Sequence, residues 1–181
     1  MNKTTKNLTL SAMFVALGLL LPFLTGQIPN IGRMLLPMHF PVFLCGLICG
    51  WQYGLAVGLI VPIFRSFLFG SPVMFPMAVS MAFELAAYGI LTGILYQHSK
   101  NQNMKTLMGS IVISMLGGRL VYGIMQVLLL GLGDKGFTWQ AYIQGAFVMA
   151  IPGIVLQLIL LPVIMAALNK TGLVPFKNGG K

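Results

Sequence analysis

The stretch AYIQGAFVMAIPGIVLQLILLPVIMAAL, residues 141–168, decides the fold, because it carries no Asp, Glu, Lys or Arg. Roughly 20 consecutive apolar residues suffice for a helix to cross the hydrocarbon core of a bilayer. This run exceeds that length, although Pro152 and Pro162 interrupt it. Five more apolar runs precede it, at about 8–24, 37–50, 53–70, 73–96 and 106–132. The segments between them are polar or rich in Gly and Pro: 25–36 with Pro29, Asn30, Gly32 and Arg33, then Gly50-Trp51-Gln52, Ser71-Pro72, 97–105, and 133–139 with Asp134 and Lys135. Lipid offers the backbone no hydrogen-bond partner, so continuous apolar runs predict helices. A membrane β-barrel would show alternating ten-residue segments instead. The expected fold is all-α, an integral membrane bundle of six transmembrane helices forming a single domain over residues 1–181.

Composition agrees with that reading. Hydrophobic residues make up 57% of the chain and charged residues 7%, against about a quarter charged in soluble domains. The net charge is +9, from 11 Lys and Arg against two acids, Glu84 and Asp134. A basic balance can signal nucleic acid, but these residues are scattered between apolar runs and form no dense patch. They speak for orientation, since cytoplasmic loops carry excess Lys and Arg. With both termini inside, the inner segments hold Lys3, Lys6, Lys100, Lys105, Lys170, Lys177 and Lys181, and the outer ones only Arg33 and Lys135. Both termini are therefore expected to be cytoplasmic. The start of the chain resembles a signal-peptide n-region, but no small-residue cleavage site follows, so a retained first span is expected.

Arg65, Glu84 and Arg119 fall inside predicted spans. Charges within a membrane are costly and usually face a protein interior or a wet cavity. On the expected topology the three lie at similar depth and are expected to meet, with a surplus of one positive charge. A buried guanidinium without a protein partner favours an anion such as a carboxylate. The plainer reading is that Glu84 pairs with one arginine and locks helices together. Arg33 and His39 flank the Met- and Pro-containing stretch 34–38, which reads either as a lid or as an interfacial loop. His39 has no second ligand nearby in sequence, so no metal is expected. Cys45 and Cys49, at i and i+4 with no His or acid beside them, read as packing residues. Small residues four apart, Ala12/Ala16, Gly46/Gly50 and Gly54/Gly58, allow close helix approach. There is no Walker A sequence and no GxSxG motif, so neither a built-in ATPase nor a serine hydrolase is expected. Two acids leave little for acid–base catalysis.

Taken together, the chain resembles the S components of energy-coupling factor (ECF) transporters, the bacterial and archaeal vitamin importers. The resemblance rests on size, six spans, basic inner ends, Ala12 and Ala16, the segment Leu36-Pro37-Met38-His39-Phe40-Pro41-Val42 with Cys45-Gly46 and Gly50, and the run Met81-Ala82-Phe83-Glu84-Leu85-Ala86-Ala87-Tyr88-Gly89. It implies a subunit of a prokaryotic plasma membrane, without catalytic activity or cofactor, that binds a vitamin from outside. A transmembrane T subunit and two cytoplasmic ATPases would be its partners in an ABC-type importer. It further implies that Ala12 and Ala16 form the T-subunit docking face, that 27–37 is a lid, and that the subunit topples in the membrane to release its cargo. The pocket is then expected among Arg65, Glu84, Arg119, Asn30, Arg33 and His39. Tyr88, Tyr122, Gln126, Trp139 and Gln144 join them as aromatics and amides suited to a polar ligand. The surplus arginine favours pantothenate, with pyridoxine-type and hydroxymethylpyrimidine cargoes as rivals. The alternatives are an intramembrane enzyme using Glu84 and His39, and a structural membrane protein whose charges merely pair.

Overall fold

Apolar runs of this length can satisfy their own amides by forming helices, and helix is the only regular structure among the described residues of this computed structural model, namely 2–24, 34–131, 138–172, 174 and 176. Six helices follow one another: α1 (Lys3–Leu24), α2 (His39–Cys49), α3 (Trp51–Phe69), α4 (Met74–Gln97), α5 (Met104–Gly131) and α6 (Trp139–Lys170). All but α2 are long and apolar enough to cross a membrane. At 11 residues, α2 is about 16 Å long, roughly half of a hydrocarbon core.

Packing shows where the short helix sits. Asn7 Nδ2 of α1 donates to the carbonyl of Cys49 at 3.2 Å, and Ser11 Oγ lies 3.6 Å from Cys45 Sγ. The two helices therefore run antiparallel, and the register places His39 opposite residue 17. α2 thus begins about 10 Å short of the far end of α1. The turn before it is folded into the bundle: Leu36, Pro37 and Met38 are buried. Leu36 has a left-handed backbone (φ 51°), and its carbonyl faces Gln157 Nε2 of α6 at 3.5 Å. A Cβ on Gly153 would run into the carbonyl of Met34, so α6 presses directly on this turn. Irregular backbone at membrane depth is tolerated where protein covers it. Of the expected lid 27–37, residues 27–33 lie outside the described residues, and the rest is this packed turn.

Glycine sets the closest approach. A Cβ on Gly54 of α3 would stand 2.8 Å from the carbonyl oxygen of Gly89 of α4, so backbone meets backbone with no room for a side chain. Without a hydrophobic drive between helices in lipid, such van der Waals contact is what holds them together. Along α5 the faces divide cleanly. Met115, Gly118, Arg119, Gly123 and Gln126 are buried, whereas Leu116, Leu120 and Ile124 are 56–66% exposed. Here the polar and small residues point inward, and the outward face is large and apolar, a pattern lipid permits.

Two wide turns break the regular ladders. Phe75, before Pro76, has extended dihedrals (φ −119°, ψ 132°) at the start of α4. In α6 the stretch Gln144–Val148 forms a π-helical turn, closed by Met149 N–H donating to Gln144 O at 2.9 Å. Such turns account for sharp kinks.

Candidate functional site

Glu84, near the middle of α4, is 1% exposed and gathers three side chains. Arg119 Nη1 of α5 donates to its Oε1 at 2.7 Å. Tyr88 Oη, one turn further along α4, donates to the same oxygen at 2.7 Å. His39 Nε2, at the start of α2, lies 3.8 Å from it. The Tyr88 ring is fixed from both sides: Phe43 stacks on it at 4.9 Å and 28°, and Gly118 of α5 leaves the ring the space a Cβ would fill. Glu84 and Arg119 balance each other's charge in a region where an unpaired ion would be costly.

The pairing leaves capacity unused. All three partners address Oε1, so Oε2 has no hydrogen-bond partner among the described residues. Arg119 Nη2 and both ring nitrogens of His39 are likewise buried without a hydrogen bond among the described residues. Buried polar groups in proteins are nearly always satisfied, and exceptions call for an explanation such as a ligand or water.

Along the same face of α5, Tyr122 and Gln126 follow Arg119 at i+3 and i+7. They line a hollow of about 160 Å³ together with Thr138, Tyr142, Gly145 and Ala146. The π-helical turn of α6 supplies Gly145 and Ala146. Tyr142 joins the hollow to the charged group, because its Oη donates to the backbone carbonyl of Arg119 at 2.7 Å. Its ring lies nearly parallel to that of Tyr122, at 6.2 Å and 23°, in space left by Gly123, where a Cβ would come within 2.8 Å of the ring.

The residues singled out from sequence thus divide. Glu84, Arg119, His39 and Tyr88 meet at one point, and Tyr122 and Gln126 line the adjoining hollow. Trp139 is exposed and stands edge-on to Tyr142 at 6.0 Å. Gln144 is exposed at the start of the wide turn. Asn30 and Arg33 lie outside the described residues. The expected meeting of three charges is corrected: Arg65 does not join Glu84. Its Nη1 donates to the carbonyl of Leu19 at 2.8 Å, and its guanidinium sits over the rings of Phe23 and Phe69 at 5.3 and 5.4 Å. The register explains this. Gly54 faces Gly89, and Gly58 faces Leu85 and Ala86, so Glu84 is level with residues 59–60 of α3 and Arg65 lies about 8 Å further along. Tyr142 escaped the sequence reading. Its one signal was a hydroxyl-bearing aromatic three residues after Trp139, at the entrance to an otherwise apolar run.

Fold and site define a bundle of apolar helices that keeps a polar cluster in its interior with a small hollow beside it, the form of a membrane-embedded binding subunit. Residues 6–165 match the family described as ECF transporter, substrate-specific component. The chain belongs to this family of ECF S components, which are membrane proteins that bind a transport substrate. No curated protein and no solved structure matches the chain significantly.

Proposed function

We propose that this S component captures a water-soluble vitamin in the space between α5 and α6 and hands it to a T subunit driven by two ATPases. The observation that carries the proposal is that Arg119 Nη2 and both ring nitrogens of His39 are buried without a hydrogen bond among the described residues, in a cluster joined to the hollow through Tyr142. A purely structural ion pair has no reason to keep buried donors without partners among the described residues. Both termini face the cytoplasm of a prokaryotic cell in this reading, which puts the hollow in the outer half of the bilayer. Ala12 and Ala16 are exposed on α1, as a face that docks against the T subunit requires.

Pantothenate, the cargo first expected, rested on an arginine surplus at the site. That support weakens, because Arg65 stands apart and Glu84 balances Arg119. A carboxylate now has Arg119 Nη2 as its main attraction, and the pyridoxine-type and hydroxymethylpyrimidine alternatives gain ground. The test is uptake of labelled pantothenate, pyridoxine and hydroxymethylpyrimidine into vesicles holding this chain, the T subunit and both ATPases. ATP-dependent accumulation of one of them that disappears when this chain is omitted is expected. Equal uptake without the chain would refute the proposal.

A further inference from the structure

We infer that the cargo is a compact, uncharged, planar nitrogen heterocycle with a hydrogen-bond donor and an acceptor on one edge. The inference rests on the reading that the hollow holds the cargo, and it follows from the lining. No charged side chain among the described residues lines the hollow. The near-parallel Tyr122 and Tyr142 rings offer a flat wall, which suits an aromatic ring better than a flexible aliphatic chain. Gln126 is 9% exposed and lines the space, yet its amide makes no hydrogen bond with any described residue. A free carboxamide presents one donor and one acceptor side by side. That is the array that binds a ring nitrogen and the exocyclic amine next to it, as Asn and Gln do on adenine.

Charge points the same way. Tyr142, which lines the hollow, donates to the backbone carbonyl of Arg119, and at that neighbouring cluster Glu84 and Arg119 cancel. An anion placed there would bring an uncompensated negative charge into the membrane interior, which is costly. A neutral ring adds no charge. Size agrees too, because about 160 Å³ is well below the roughly 300–1,000 Å³ of sites for drug-sized ligands.

The experiment is calorimetric titration of the purified, ligand-stripped full chain in detergent with three probes: pyridoxine, an aminopyrimidine bearing a hydroxymethyl group, and pantothenate. The aminopyrimidine, which carries an exocyclic amine beside a ring nitrogen, is expected to bind at least about 100-fold more tightly than pantothenate, about 2.7 kcal/mol. Gln126→Leu is expected to weaken that heterocycle at least tenfold. The comparison of probes on the unaltered chain stands even if the variant does not fold. Tighter binding of pantothenate overturns the inference and leaves vitamin capture intact. Failure of both heterocycles while another small molecule co-purifies with the chain has the same consequence. If no small molecule binds or co-purifies, the capture reading falls and the inference with it.

Discussion

Replacing Glu84 with leucine should destabilise the bundle more than replacing Arg119 with methionine, and making both changes should recover most of the loss. Arg119 is 6% exposed, and a guanidinium cannot release its proton. In Glu84→Leu it loses the 2.7 Å acceptor, while its Nη2 already has none among the described residues. A buried charge stripped of its partner costs about 3–5 kcal/mol. In Arg119→Met the carboxylate keeps the Tyr88 hydroxyl at 2.7 Å and can take up a proton. The cost there is nearer that of a lost buried hydrogen bond, about 1–3 kcal/mol. The double variant carries neither ion and strands only the Tyr88 hydroxyl, about 1–2 kcal/mol. For a chain of this length each kcal/mol moves the melting temperature by about 2–4 °C, so Glu84→Leu should melt roughly 6–20 °C lower. The assay is thermal melting in one detergent at a fixed scan rate, because such unfolding is commonly irreversible. A double variant as unstable as Glu84→Leu would refute the reasoning, as would a Glu84→Leu melt equal to that of the unaltered chain.

Gly89→Val should force α3 and α4 apart, because the space for its side chain is filled by the backbone of Gly54. Overpacking of this kind costs about 1–3 kcal/mol, readable in the same melting assay. Arg65→Met should change vitamin affinity less than about threefold, under 1 kcal/mol, since Arg65 is bonded to Leu19 and set away from Glu84; calorimetry on the folded variant checks this. Ala12→Trp, on the exposed face of α1, should block co-purification with the T subunit while leaving vitamin binding unchanged.

Much of the fold was legible because the bilayer imposes one strong rule, that apolar runs become helices. Residues 141–168 needed no other argument. What the rule does not give is depth and register. Gly54 and Gly58 were visible as small residues four apart, but only the contact with Gly89 fixes how far α3 slides along α4, and that offset separates Arg65 from Glu84. Similarly, the sequence places His39 near the start of the span expected over 37–50 but does not say what it faces. The buried turn at Leu36 carries it into the bundle beside Glu84. The hollow was the least legible feature. It depends on the π-helical turn Gln144–Val148 and on Gly123 admitting the Tyr142 ring, and neither a widened turn nor a glycine's neighbour across the bundle leaves a periodic mark in the sequence. Tyr88, Tyr122 and Gln126 were recognisable because polar groups on apolar helices have few reasons to be there, and the same argument applied to Tyr142 would have found it.

The most direct measurement is native mass spectrometry of the full-length chain released gently from detergent. The expected result is a single small molecule of defined mass bound one to one, retained in Arg65→Met and lost in the Glu84→Leu, Arg119→Met double variant. A chain that flies empty after purification from vitamin-replete cells, or a bound molecule that survives the double substitution, would contradict the account.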